Sequence, residues 1–116
     1  CFARGQWHAI TLPTLSEKTS PADSLDAARL HAEILTPILG LGDARSDDRC
    51  AFIGGPDSAT RSELAVGDGN AMAGFSLVAT TMEQLMAVAD AGLVMPPKST
   101  WFEPKLRSGL LVHALD

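Results

Sequence analysis

The chain has 116 residues, a mass of 12.2 kDa and a formal net charge of −5, and 46% of its residues are hydrophobic. This size and composition predict one globular domain rather than a disordered segment. The negative charge argues against nucleic acid as a partner, and no apolar run approaches the roughly 20 residues that a membrane span needs. The two cysteines are far apart, which excludes both a disulfide framework and zinc-ligand spacing.

The first residue is Cys1 rather than a methionine, so we interpret residues 1–116 as a single domain that forms the C-terminal fragment of a longer chain. A lipid-anchored cysteine is the alternative. Such an anchor is followed by a polar tether, whereas residues 2–12 carry the pattern of a strand. Two isolated cysteines favour the reducing cytoplasm as the location.

Alternating apolar residues in GQWHAITL, residues 5–12, predict a strand that ends at Pro13. Three-to-four spacing of apolar residues predicts an amphipathic helix over residues 25–39. Asp23 or Ser24 is expected to cap this helix, Pro37 to kink or restart it, and Gly40 to end it.

The second half of the chain repeats this alternation of elements. CAFIGG (residues 50–55) and AMAGFSLVA (residues 71–79) predict buried strands, with a short helix between them over residues 58–66. TTMEQLMAVADAG, residues 80–92, predicts a helix with a capping box from Thr80 to Glu83 and a stop at Gly92. Its predicted buried stripe comprises Met82, Leu85, Met86 and either Val88 or Ala89. LLVHAL, residues 110–115, predicts a last strand.

This order of elements predicts a mixed α/β (α+β) fold, in which three helices pack on a small sheet of about four strands and the whole is part of a larger protein. The histidines are isolated from one another, so we predict no metal site.

The most unusual stretch is MPPKSTWFEPKLRSG, residues 95–109, which we call the cationic loop. Residues 96–109 carry a net charge of +2, whereas the rest of the chain carries −7. A local positive region can attract an anionic ligand even on an acidic protein, and the prolines stiffen the loop before a ligand arrives. The candidate ligand-binding residues are Lys98, Ser99, Thr100, Trp101, Lys105 and Arg107.

Two acids are candidate catalytic residues. Glu103 lies within the cationic loop and could orient a cation or act as a base. Asp90 lies at the C-terminal end of a predicted helix, where a carboxylate opposes the helix dipole. A purely structural role for the loop, with its aromatic residues sealing the core, is the alternative.

GLVMPPKS, residues 92–99, approaches the phosphate-loop pattern G-x-x-x-x-G-K-[ST] but has Pro97 in place of the second glycine. A phosphate loop binds through backbone N–H groups, and proline has none. Any anion contact here therefore has to come from side chains.

The stretch VADAGLVMPPKSTWFEPKLRSGLLVH closely resembles the C-terminal signature of the microbial family classed as domain of unknown function 1015. LDAARLHAEILTPILGLGD and GFSLVATTMEQLMAVADAG are similar to segments of the same family in the same order. The resemblance covers the chain from Trp7 onward. It implies an N-terminal part with a ParB/sulfiredoxin-like fold, whose Asp-Gly-His-His-Arg motif this sequence does not contain.

The resemblance also implies a link to serine metabolism, because related proteins of that fold include kinases that phosphorylate free serine. One hypothesis is therefore that the full-length protein is a kinase-like phosphotransferase that binds a small anionic metabolite or nucleotide. ATP or ADP with magnesium would then be its cofactor. The alternative is a non-catalytic structural or interaction module that completes the missing N-terminal part.

Overall fold

The computed structural model describes residues 1–100 of the chain. Two strands, β1 (Phe2–Ala3) and β2 (Gln6–Trp7), pair in antiparallel register. Three helices follow in chain order: α1 (Asp26–Leu30), α2 (Ser58–Gly67) and α3 (Met82–Asp90). The hairpin between the strands turns at Arg4 and Gly5, which both have positive φ angles.

The predicted sheet of about four strands is wrong, because the only sheet within residues 1–100 is this pair of two-residue strands. Of the other predicted strands in that part, residues 50–55 form no ladder, and residues 71–79 contribute a single bridge from Gly74 to Phe2. An apolar or alternating pattern shows that a segment suits a sheet, but a strand also needs a backbone partner.

The predicted helix over residues 25–39 is present only as α1, which is followed by a π-helical turn, His31–Leu35. In this turn the Thr36 amide bonds to the carbonyl of His31, five residues earlier. Pro37 has no amide to continue the α-helical pattern, which accounts for the irregular end. The predicted caps Asp23 and Ser24 are also wrong, because Leu25 precedes α1 and makes no side-chain capping bond.

Helix α3 begins with a capping box one residue later than predicted. Thr81 Oγ1 accepts from the amide of Gln84 at 3.2 Å, and the Gln84 side chain accepts from the amide of Thr81 at 2.9 Å. The predicted Thr80–Glu83 pair is therefore displaced by one position. Thr80 instead donates its hydroxyl to the carbonyl of Ser99.

The buried core of residues 1–100 is very small. Leu25 and Val88 are each 1% exposed and are the only buried residues in this part of the chain. Of the predicted stripe on α3, Met82 and Met86 are exposed.

Candidate functional site

The described part of the cationic loop forms a tight turn over residues 96–99. The amide and the hydroxyl of Ser99 both donate to the carbonyl of Pro96, at 3.4 and 2.7 Å. Thr80 Oγ1 donates to the carbonyl of Ser99 at 3.0 Å, which fastens the turn to the segment just before α3. The hydroxyl proton of Ser99 is therefore already used within the turn.

Lys98 stands at the tip of this turn with an exposed side chain and a φ of 56°. Left-handed backbone is unfavourable for a residue with a Cβ by about 1–2 kcal/mol, and such residues occur often at ligand sites. Lys98 forms no ion pair with any carboxylate of residues 1–100. Thr100 is exposed beside it.

Asp90 is the last residue of α3 and is exposed, and it makes no ion pair within residues 1–100. The other candidates from the cationic loop, Trp101, Glu103, Lys105 and Arg107, lie outside the described residues. Their predicted roles in ligand binding and catalysis thus stay predictions.

A cleft of about 600 Å³ lies elsewhere, at the end of the hairpin, and sequence reasoning missed it. Residues 8–12 and 75–78 line it together with Cys1, and Leu30 and Ile34 add apolar surface. The apolar character of these two segments predicted strands. It did not indicate that the segments lie on either side of a cleft.

Arg29 and Asp26 of α1 also line this cleft. The Arg29 guanidinium donates to Glu33 at 2.9 Å and to the carbonyl of Pro13. Its side chain is only 14% exposed. Both acceptors belong to the chain itself, so the positive charge of Arg29 is already balanced by the Glu33 carboxylate and is a weak attraction for an anionic ligand.

The hairpin is fastened to α2 next to the cleft. The indole N–H of Trp7 donates to Glu63 Oε1, and the rings of Trp7 and Phe2 pack with their centroids 5.3 Å apart. These contacts hold β1 and β2 against α2.

The charged turn after Gly40 contains two short-range ion pairs. Hydrogen bonds from Arg45 hold the pKa of Asp43 at about 2, and hydrogen bonds from Arg49 lower the pKa of Asp47 even further. Asp47 also accepts from the amide of Gly42 at 3.0 Å. Each arginine is thus matched by an acid, so this turn offers no free positive site.

Within the part of the chain that the structure describes, no group of three or more His, Cys, Asp or Glu side chains could hold a metal ion. No helix in residues 1–100 has both the length and the apolar character needed to cross a bilayer.

Comparisons of the chain with protein-family models, with curated proteins and with solved structures found no match. The resemblance described above therefore stays a prediction.

Proposed function

We propose that this chain is a non-catalytic docking module whose exposed apolar side chains are covered by the N-terminal part of a longer protein. The observation that carries the proposal is a contrast within residues 1–100, where only Leu25 and Val88 are buried and many large apolar side chains are exposed. Met72 is 96% exposed, Val94 86% and Val78 79%. Exposed apolar surface beyond what a monomer normally shows marks an interaction surface.

The free energy available from covering these side chains is large enough for stable docking. Full burial of one large apolar side chain contributes roughly 1.5–3 kcal/mol. Several such residues would offset the cost of ordering the two partners. Helix α3 presents Met82 and Met86, four residues apart, on one exposed face.

The test is a charge placed on that helix face in the full-length protein. Met86→Lys should destabilise it by at least about 2 kcal/mol, because the lysine loses apolar burial and places an unpaired charge in an interface. The control Met86→Leu keeps the apolar surface and should cost less than about 1.5 kcal/mol. Denaturant unfolding measures both. If Met86→Lys costs no more than an ordinary surface substitution, about 0.5 kcal/mol, the docking proposal is wrong.

A second candidate function is anion binding at the cationic loop, and the conformation of Lys98 favours it. An exposed lysine in left-handed backbone, at the tip of a turn fixed by Thr80 and Pro96, supports a ligand contact. In this proposal Lys98 neutralises the charge of a small anionic metabolite or nucleotide, and Thr100 donates a hydrogen bond. Under this second candidate, the reaction of the full-length protein is the one that the family resemblance implies, a phosphoryl transfer linked to serine metabolism with ATP or ADP and magnesium.

Thermal unfolding of the full-length protein with added inorganic phosphate, phosphoserine or ATP–magnesium tests this candidate. A ligand present at 100 times its Kd should stabilise the protein by about 2.7 kcal/mol. Lys98→Gln should abolish the shift, whereas Lys18→Gln, which removes the same charge from an exposed loop outside the cationic loop, should preserve it. A melting temperature unmoved by all three ligands would exclude the anion site.

Both cysteines of the described part are free thiols. Free thiols are the state that the cytoplasm maintains, and this supports our proposal of a cytoplasmic protein.

A further inference from the structure

Two segments of the described chain continue from β1 on opposite sides of it. On one side, Cys1 and His8 exchange both backbone bonds, at 2.7 and 2.8 Å. On the other side, Phe2 and Gly74 also exchange both, at 2.7 and 3.0 Å. The segments that begin at His8 and at Gly74 therefore flank the line of β1, and both of them line the cleft of about 600 Å³.

This register determines which backbone groups of the two segments face the cleft. In an antiparallel ladder every second residue directs its N–H and C=O toward the same neighbour. With an extended backbone, the next residues that face the same way are Ile10 and Leu12 after His8, and Ser76 and Val78 after Gly74. Two facing rows of backbone donors and acceptors are a template for an extended strand.

The chain itself contains a segment with the composition of such a strand. Within residues 1–100, no backbone hydrogen bond joins residues 9–12 or residues 75–78 to another segment. LLVHAL, residues 110–115, is the predicted last strand and lies outside the described residues. Five of its six residues are apolar, a composition typical of a strand that is covered on both faces. Leu30 and Ile34 supply apolar side chains to the same cleft.

The position of Ser99 brings this segment within reach of the cleft. Thr80 Oγ1 donates to the carbonyl of Ser99 at 3.0 Å, so Ser99 lies beside the end of the segment that contains residues 75–78. Leu110 follows Ser99 by 11 residues, which extended backbone can stretch over about 36 Å. Four extended residues, such as 75–78, span only about 13 Å. The connection is therefore long enough for residues 110–115 to enter the cleft.

We propose that residues 110–115 of this chain bind in the cleft as an inserted strand between residues 9–12 and residues 75–78. Successive backbone groups of the inserted strand bond alternately to the two flanking segments, and its apolar side chains contact Leu30 and Ile34. The insertion joins the hairpin to the segment before α3. It also anchors both ends of the cationic loop, at Ser99 and at Leu110.

This proposal is independent of the proposed docking function. The exposed methionines that support docking, Met72, Met82 and Met86, do not line the cleft. A strand from the same chain can therefore fill the cleft whether or not a partner covers those methionines.

Nuclear Overhauser effects between backbone protons in the intact protein test the insertion directly. Residues 110–115 should show cross-strand contacts to residues 9–12 on one side and to residues 75–78 on the other, because neighbouring strands lie about 4.8 Å apart. Contacts to only one of the two segments, or to neither, would overturn the proposal.

Amide hydrogen exchange of a matched pair of variants provides the second measurement. In the unmodified protein, Ile10 and Ser76 amides should exchange at least about 100-fold more slowly than in the unfolded chain. Val112→Pro removes a backbone donor from the middle of the inserted strand and should restore fast exchange at both. Val112→Ile keeps this donor and the apolar side chain, and should retain slow exchange.

The amide of Leu85, which bonds to the carbonyl of Thr81 at the start of α3, reports whether each variant stays folded. If Val112→Pro also makes Leu85 exchange fast, the proton contacts of the unmodified protein decide. Slow exchange at Ile10 that survives Val112→Pro would show a different occupant of the cleft and overturn the proposal. Slow exchange that depends on protein concentration would show a second copy of the chain there, with the same consequence.

Discussion

Gly74 packs directly against Ser62 of α2, and a Cβ atom at Gly74 would lie 3.0 Å from the Ser62 Cβ. This close approach lets the backbone of Gly74 bond to Phe2 while α2 lies alongside. Gly74 therefore links β1, through its hydrogen bonds to Phe2, with α2, through its packing against Ser62.

Gly74→Ala should destabilise the protein by roughly 1–3 kcal/mol, because the new methyl group meets a Cβ fixed on a helix rather than a movable side-chain end. Gly67→Ala is the control, since a Cβ there meets nothing within 4 Å. In a helix this control change should be neutral or stabilising by up to about 1 kcal/mol. Denaturant unfolding measures the free energy of unfolding of both variants. Equal values would contradict the close packing of Gly74 against Ser62.

Val88 and Val94 allow the same chemical change to be compared at opposite exposures, 1% and 86%. Val88→Ala should cost about 2 kcal/mol, because two buried carbon groups are lost and a cavity remains. Within the 1–116 segment, Val94→Ala should change the free energy of unfolding by less than about 0.5 kcal/mol. A cost at Val88 as small as that at Val94 would contradict the placement of the core.

Thr81→Ala should destabilise α3 by about 1 kcal/mol, because the amide of Gln84 loses its capping acceptor. Thr81→Ser retains the hydroxyl and should behave like the unmodified chain. The same substitution at the neighbouring Thr80 removes a bond to the cationic loop rather than a cap. Circular dichroism during thermal unfolding follows the helix, and an unchanged midpoint for Thr81→Ala would exclude the capping box.

Asp43 should titrate at about pH 2 rather than at 3.8, because Arg45 donates hydrogen bonds to its charged form. A lowered pKa in the folded state means that the contribution to stability is complete above pH 3.8 and is lost as the pH falls toward 2. Carboxyl NMR titration measures the pKa. Arg45→Gln should return it toward 3.8, whereas Arg49→Gln should leave it unchanged. A midpoint near 3.8 in the unmodified chain would contradict the pair.

Local pattern predicted the helices better than the sheet. The expected helix over residues 58–66 corresponds to α2, and the one over residues 80–92 contains α3. Helical hydrogen bonds form within one segment, so a single stretch of sequence contains the information for them. A strand requires a distant partner, and neither the Phe2–Gly74 bridge nor the gap beside it leaves a local signal.

The predicted buried stripe on α3 shows that local pattern is also a limited guide to packing. Spacing marked Met82 and Met86 as apolar and on one helix face, but it could not indicate what covers that face. Charge and proline content indicate Lys98 as a candidate ligand-binding residue, which stays a prediction. The left-handed backbone of Lys98 has no signal in the sequence, because lysine rarely adopts it.

The most direct test of the docking account is oxidation of Met72 by hydrogen peroxide in the native full-length protein, followed by mass spectrometry. Within residues 1–100, the side chain of Met72 is 96% exposed, and those of Met82 and Met86 are 59% and 57% exposed. If a partner segment covers the apolar surface, these methionines should oxidise at least about tenfold more slowly than in the unfolded protein, because closed states exclude the oxidant. Oxidation of all three at the unfolded rate would show that the surface stays open and would contradict the account.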